Sequence, residues 1–349
     1  MTAKIPPTKL PKSVKLNPDG TEQKTLWDKV LTYTPVVMTV IATLLAGLSN
    51  SELNAAQYER AWAAQLQSKV ADQWNFFQVK RIRGSALDNT LELLQNLAHT
   101  VPLDAGAFKA SIAALPPTGE PDAFVKLREA VSAPAAAEAL ETAAAGTGPI
   151  VQIKKYDNPA IRAAIAAIEG RKPESEIAPL VRAVPQADIE EAITVSQDNV
   201  AAFDEAIGPT NRALDTIRAA LAAATAGANA QARRSPTAES TALRDQVEQL
   251  ASDFTAARLR YSARRYDLEA SLNKDIAQLT EISVRKTNLL ADHHKGRSQL
   301  FFIGMIIAQA AVIASTMALA VKKKSLLWGL ATAAGLIAVG FGAYVRFYV

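Results

Sequence analysis

Residues 300–321 (LFFIGMIIAQAAVIASTMALAV) and 326–345 (LLWGLATAAGLIAVGFGAYV) carry no charged side chain and are separated only by Lys322, Lys323, Lys324 and Ser325. A helix rises about 1.5 Å per residue, so about 20 apolar residues cross a hydrocarbon core of about 30 Å. Both runs reach that length, and together they read as a membrane hairpin with a basic turn at 322–325. A further uncharged run, residues 31–48 (LTYTPVVMTVIATLLAGL), is shorter. Trp27 and Tyr33 extend it into the interfacial zone that aromatics favour, as Trp328 and Tyr344 do for the last run. The expectation is an all-α integral membrane protein with three transmembrane helices. Some thirty residues precede the first run, which is long for a signal-peptide leader, so it reads as an uncleaved anchor.

The distribution of charge supports that division. The chain has 349 residues and a formal net charge of +4. Lys4, Lys9, Lys12, Lys15, Lys24 and Lys29 precede the first run, against Asp19, Glu22 and Asp28, and Lys322–Lys324 and Arg346 lie past Leu300. Taking ten bases from 38 and three acids from 34 leaves 28 and 31 for residues 50–299, a net of −3. The basic character therefore belongs to the membrane flanks, and the middle of the chain lacks the positive footprint of a nucleic-acid binder. With no cysteine, disulfides, thiolate nucleophiles and cysteine-based metal sites are excluded. Lysines concentrate on the cytoplasmic side of membrane proteins. The tail 1–30 and the loop 322–325 are thus expected in the cytoplasm, with residues 50–299 on the outer side of the membrane. Arg285, Lys286, Lys295 and Arg297 argue the other way.

Between the apolar runs the periodicity is helical. Ala56, Ala63, Leu66, Val70, Phe77, Leu87, Leu91, Leu94 and Ala98 form a heptad-like seam, interrupted by Gln73, Lys80 and Gly84. A second seam follows Leu243, Val247, Leu250, Phe254, Ala257, Tyr261, Leu268, Leu272, Ile276, Leu279 and Ile282, with a four-residue slip before Ile276. The expectation is a long antiparallel, coiled-coil-like stalk of helix A (50–100) and helix B (241–299), carrying a helical insert (101–240) at its far end. Prolines at 102, 116, 117, 121, 134, 149, 159, 173, 185 and 209 divide that insert into short helices. A longer helix is expected from Ile189 to Ala226, broken or kinked at Gly208-Pro209. Residues 222–240 read as a linker, and Ile150–Ile153 as the one β-like run.

Residues that carry chemistry are few. His99, His293 and His294 lack the i, i+4 spacing of a helical zinc site, and no phosphate loop, nucleophile elbow or metalloprotease motif occurs. No catalytic residue, cofactor or metal is expected. The densest signal is Ala71–Gly84 (ADQWNFFQVKRIRG), which places Trp74, Phe77 and Arg81 on one helical face and Phe76, Lys80 and Arg83 beside it. Aromatics next to cations suit packing or an oligomer interface. Gly335 and Gly342 in the last run suit close helix approach. Gln309 puts a lone amide in hydrocarbon, so it is expected to face another helix.

The stretch Asp72-Gln73-Trp74-Asn75-Phe76-Phe77-Gln78-Val79-Lys80 after a first span, with a basic-looped C-terminal hairpin, resembles a bacterial membrane family known only as domain of unknown function four-three-three-seven. In that family a similar Asp-Gln-Trp-aromatic-aromatic-Gln-Ala-Lys stretch follows the first span; Val79 stands here in place of its Ala. The resemblance covers roughly 25–100 and 245–345, and the insert is unlike typical members. It implies a bacterial membrane location and no catalytic activity. The partners expected are the lipid bilayer and a second copy or another membrane protein, in a non-enzymatic scaffold or accessory subunit of the cell envelope. The alternative is a channel or transport component built from several three-helix units.

Overall fold

In the computed structural model, residues 26–116, 121–146, 152–320 and 324–349 are described. Among them the secondary structure is helical, with no strand: α1 (Leu26–Ala98), α2 (Ala105–Ala113), α3 (Pro121–Ser132), α4 (Pro134–Ala145), α5 (Pro159–Glu169), α6 (Glu174–Ala183), α7 (Gln186–Arg234), α8 (Ala238–Ala320) and α9 (Lys324–Tyr348). Residues 1–25 of the basic tail, and Lys322 and Lys323 of the basic loop, lie outside the described residues. So do Ile150 and Val151 of the β-like run, while Gln152 and Ile153 form neither helix nor strand.

Local chemistry explains most of the boundaries. Pro134 and Pro159 sit at the first turns of α4 and α5, where a missing N–H costs nothing and the fixed φ suits a helix. The Asp104 carboxylate accepts from Ala107 N at 2.7 Å and starts α2, and Asn158 accepts from Ala160 N and Ile161 N and starts α5. Gly146 ends α4 with φ +63°, a conformation that suits a residue without Cβ.

Two expected breaks are absent. α7 runs through Gly208-Pro209 without interruption and on to Arg234, so the stretch 222–240 is mostly helix, with only Ser235–Thr237 between α7 and α8. Phe203 and Ile207 before the proline, and Leu214, Ile217 and Leu221 after it, are all buried, and that packing outweighs one lost backbone bond. The Ala/Gly run after it packs too: Ala224, Gly227 and Ala228 are buried, small side chains that permit close helix contact.

The chain divides into two compact units, Met1–Ala61 with Asn288–Val349, and Trp62–Thr287. In the second, α8 is the central helix. Its core contains Phe108, Phe124, Leu127, Leu140, Leu214, Ile217, Phe254 and Tyr261, and a smaller cluster joins Phe203, Ile207 and Leu272. α1 lies antiparallel to α8 here: Leu66 and Val70 meet Val284, a Cβ on Gly84 would lie 3.4–3.6 Å from Asp267, Ala263 and Tyr266, and Val101 N donates to Asp253 Oδ1 at 3.0 Å. α7 also lies antiparallel to α8, Phe203 and Ile207 meeting Leu272 and Asp215 pairing with Arg258 at 2.6 Å. Glu169 at the end of α5 reaches Lys274 at 2.8 Å, and Glu174 at the start of α6 reaches Arg285 at 2.8 Å.

This corrects the placement of the insert. Segment 101–240 does not sit beyond the end of a two-helix pair; α5, α6 and α7 run along α8 as far as Arg285 and Lys286. The sign of it lies in α8 itself. Ile276, Ala277, Gln278, Leu279 and Thr280 are consecutive and all buried, whereas a helix with one neighbour buries a single stripe.

In the first unit, the described parts of α1, α8 and α9 pack through Ala42, Leu45, Phe301, Ala308, Ala338 and Val345. α1 and α8 are again antiparallel: Ser49 Oγ donates to Ser298 O at 3.0 Å, and Ser298 Oγ donates to Ser49 O at 2.9 Å. α1, α8 and α9 are each long and apolar enough to cross a membrane. Only 22%, 28% and 17% of their apolar windows is buried, so most of that surface faces outward.

Candidate functional site

The aromatic and basic stretch of α1 divides by helical azimuth. Trp74 is half-buried against Leu66, Val70 and Val284 and meets Phe77 edge-on, ring centroids 5.5 Å apart at 84°. Phe76 is 53% exposed, and Arg81 is exposed. Arg81 follows Trp74 and Phe77 at helical spacing but keeps its side chain in solvent. Lys80 turns inward instead, because it falls on the same side as Gly84 and Leu91, which are buried.

Lys80 enters a cation–carboxylate–aromatic layer supplied by α8. Its ammonium pairs with the carboxylate of Glu269, which is only 7% exposed, and lies 5.4 Å from the Tyr266 ring. The Arg265 guanidinium lies 4.3 Å from the same ring and 3.5 Å from Glu269. A buried carboxylate needs paired cations and hydrogen bonds to offset its lost hydration, and two cations meet that need. Glu269, Arg265 and Tyr266 were not legible as a group, because nothing in α8 alone reports that Lys80 faces them. The one signal was the i, i+4 spacing of Arg265 and Glu269.

Further along α8, burial and like charge from Glu169 lift the Asp275 carboxyl, against the pull of Lys274. Tyr156, itself half-buried and next to Asp275, is pushed up to about 12. Burial lowers the Lys286 ammonium, partly offset by Asp188, and Lys286 donates to Val184 O. Glu169 is held low first by its hydrogen bond from Lys274. These groups form polar layers between packed helices. Among the described residues no set of three or more His, Cys, Asp or Glu side chains is placed to hold a metal.

The other marked residues lie in the first unit. A Cβ on Gly335 would meet the Met38 thioether, and one on Gly342 would come within 2.8 Å of Leu45. Gly335 and Gly342 are seven residues apart on α9, as Met38 and Leu45 are on α1, so both glycines serve contact between α9 and α1 of the same chain. Gln309 is exposed. Rather than facing a helix of its own chain, it lies on the outward surface, since Gly304, Ala308, Ala311 and Ser315 occupy the buried side of α8. At one end of the apolar segments, Glu52 binds His294 Nδ1 at 2.6 Å and Arg297 at 3.1 Å. His293 Nε2 lies 2.6 Å from Val349 O. The histidines thus have polar partners here, and His293 and His294 do not share a site.

No curated protein and no solved structure matches the chain. Residues 27–119, from the first apolar run through the Trp74–Lys80 stretch, match the family described as a domain of unknown function, DUF4337.

Proposed function

We propose that the chain is a membrane-anchored, non-enzymatic helical scaffold or accessory subunit of a bacterial envelope, working as a homo-oligomer. The observation that carries this reading is that α1 and α8 each combine, in one helix, a run able to cross a bilayer and a stretch in the buried core of a water-facing bundle. In this reading the tail 1–30 and loop 322–325 are cytoplasmic, residues 50–299 are extracytoplasmic, and α1 with α8 forms an antiparallel stalk.

Two surfaces support association with a second copy. Gln309 would present a lone amide to lipid in a monomer, and an unpaired polar group in hydrocarbon costs several kcal/mol, roughly. Val79, Ile82, Leu93 and Leu97 are also exposed along α1, more apolar surface than a solvated helix face needs. Native mass spectrometry of detergent-purified protein is expected to show a defined oligomer, and Gln309→Leu to weaken it; a strictly monomeric particle contradicts the reading. Because the chain has no cysteine, Ser68→Cys at an exposed site gives a clean test of sidedness. An impermeant maleimide should label it in intact spheroplasts; labelling only after permeabilisation inverts the topology.

The outward position of Gln309 also favours a second reading, a channel whose path is lined by several copies. Conductance across reconstituted bilayers that Gln309→Leu abolishes would establish it in place of the scaffold.

A further inference from the structure

The Lys80 layer opens on one side into a groove of about 430 Å³. α8 forms its floor, with α1 and α7 as walls. Three guanidiniums line it: Arg83 from α1, and Arg258 and Arg265 two turns apart on α8. The carboxylate in the lining is Asp215, which is already shared by Arg258 at 2.6 Å and Arg218 at 3.7 Å. The groove therefore carries an excess of two positive charges, inside a segment, residues 50–299, whose net charge is −3. Surface charge alone does not explain that local reversal.

Arg265 is held in place by its stacking on Tyr266 and by the approach of its Nε to Glu269 Oε1 at 3.5 Å. The unpaired cation of the groove is what points to a ligand. Arg83 is exposed and joins no ion pair among the described residues. Guanidinium forks match the oxygens of phosphate and carboxylate in bidentate fashion, and Asn211 and Ser262 add neutral donors. The rest of the lining is apolar, chiefly Leu87, Leu214 and Leu259. A volume of this size lies in the range of small-molecule sites, about 300–1,000 Å³.

We propose that this groove binds a phosphomonoester borne on an apolar carrier, its dianion held between Arg83, Arg258 and Arg265 and its carbon skeleton against the leucines. The site does not depend on the scaffold reading, and a monomeric chain would bind equally. A phosphomonoester of this kind comes either from a lipid headgroup or from a soluble metabolite, and the two are separable by probe.

The test is calorimetric titration of the full chain in neutral detergent, at constant ionic strength. Hexyl phosphate is expected to bind saturably with one site per chain, inorganic phosphate more weakly, and hexanol without saturation. Dihexanoyl phosphatidic acid binding tighter than hexyl phosphate assigns the lipid source; the reverse order assigns the soluble one. Arg83→Gln should weaken hexyl phosphate by about tenfold, the loss of one charge-assisted hydrogen bond. Arg83→Lys should fall between, and Arg234→Gln, an exposed arginine on α7 outside the groove, should change nothing. Circular dichroism shows that each variant keeps its helix content. Absence of saturable binding by both phosphate esters overturns the proposal. So does Arg83→Gln binding as tightly as the parent.

Discussion

Tyr261 is fully buried, yet its hydroxyl has no hydrogen-bond partner among the described residues, and burial pushes its pKa upward. An unpaired buried hydroxyl costs about 1–3 kcal/mol, so Tyr261→Phe is expected to match or exceed the parent in chemical denaturation; a loss above about 2 kcal/mol would show that the hydroxyl is satisfied. Asp275 gives a pH-dependent case. Its carboxyl is raised above 3.8, so the fold favours the neutral form. That contribution is complete below 3.8 and is lost as pH rises through the raised value. Asp275→Asn, neutral throughout, should therefore melt higher than the parent at pH 7, with the advantage shrinking as pH falls towards about 4. A gain that grows on acidification would reverse the assignment. At this scale the sequence shows which residues are polar or aromatic but not where they point. Phe77 follows Val70 on the seam, and Trp74, off that seam, packs against Val70 and meets Phe77 edge-on. Arg81 and Gln309 are exposed on the single chain, and which side of the helix such a residue shares with a partner is decided by neighbours distant in sequence.

Helix existence was legible from periodicity, and helix ends from proline and capping residues. Asp104 with Ala107, Asn158 with Pro159, and Gly146 show that chemistry directly. Pro209 failed as a breaker because the residues on both sides of it are held in a core, a tertiary effect that propensity does not contain. The seams named the buried faces of α1 and α8 correctly, since Leu66, Val70, Leu91, Val247, Phe254 and Ile282 are all buried. They missed that α8 has further neighbours, because a seam search looks for one stripe and α8 between Ile276 and Val284 has several. The small residues of α9 give the test at this scale. The atoms that a Cβ at Gly335 or Gly342 would meet are the mobile ends of Met38 and Leu45, so alanine at either position should cost little. Gly335→Leu and Gly342→Leu exceed what those side chains can yield, and should detach α9 from α1, read as faster proteolysis after Lys324 in detergent. Unchanged digestion in both leucine variants would remove the α1–α9 contact from the account.

At the scale of the molecule, composition separated the chain into apolar flanks and an acidic, alanine-rich middle, and the two compact units follow that division closely. The fold class was therefore readable. The route of segment 101–240 was not, because its amphipathic helices carry no mark of which partner buries them, and α8 is distant in sequence. The candidate site was less readable still. Lys80, Glu269, Arg265 and Tyr266 come from two helices almost 190 residues apart, and no local spacing records such a meeting.

Both proposed roles assume that three uncharged runs prefer hydrocarbon to water, and the low burial of those runs within the chain supports the assumption. Extraction of native membranes with alkaline carbonate measures it directly. Peripheral proteins are stripped under these conditions and integral ones stay in the pellet. The account predicts that the full chain sediments with the membranes after carbonate and enters solution only with detergent. Release of the chain into the carbonate supernatant, folded and free of lipid, would contradict it.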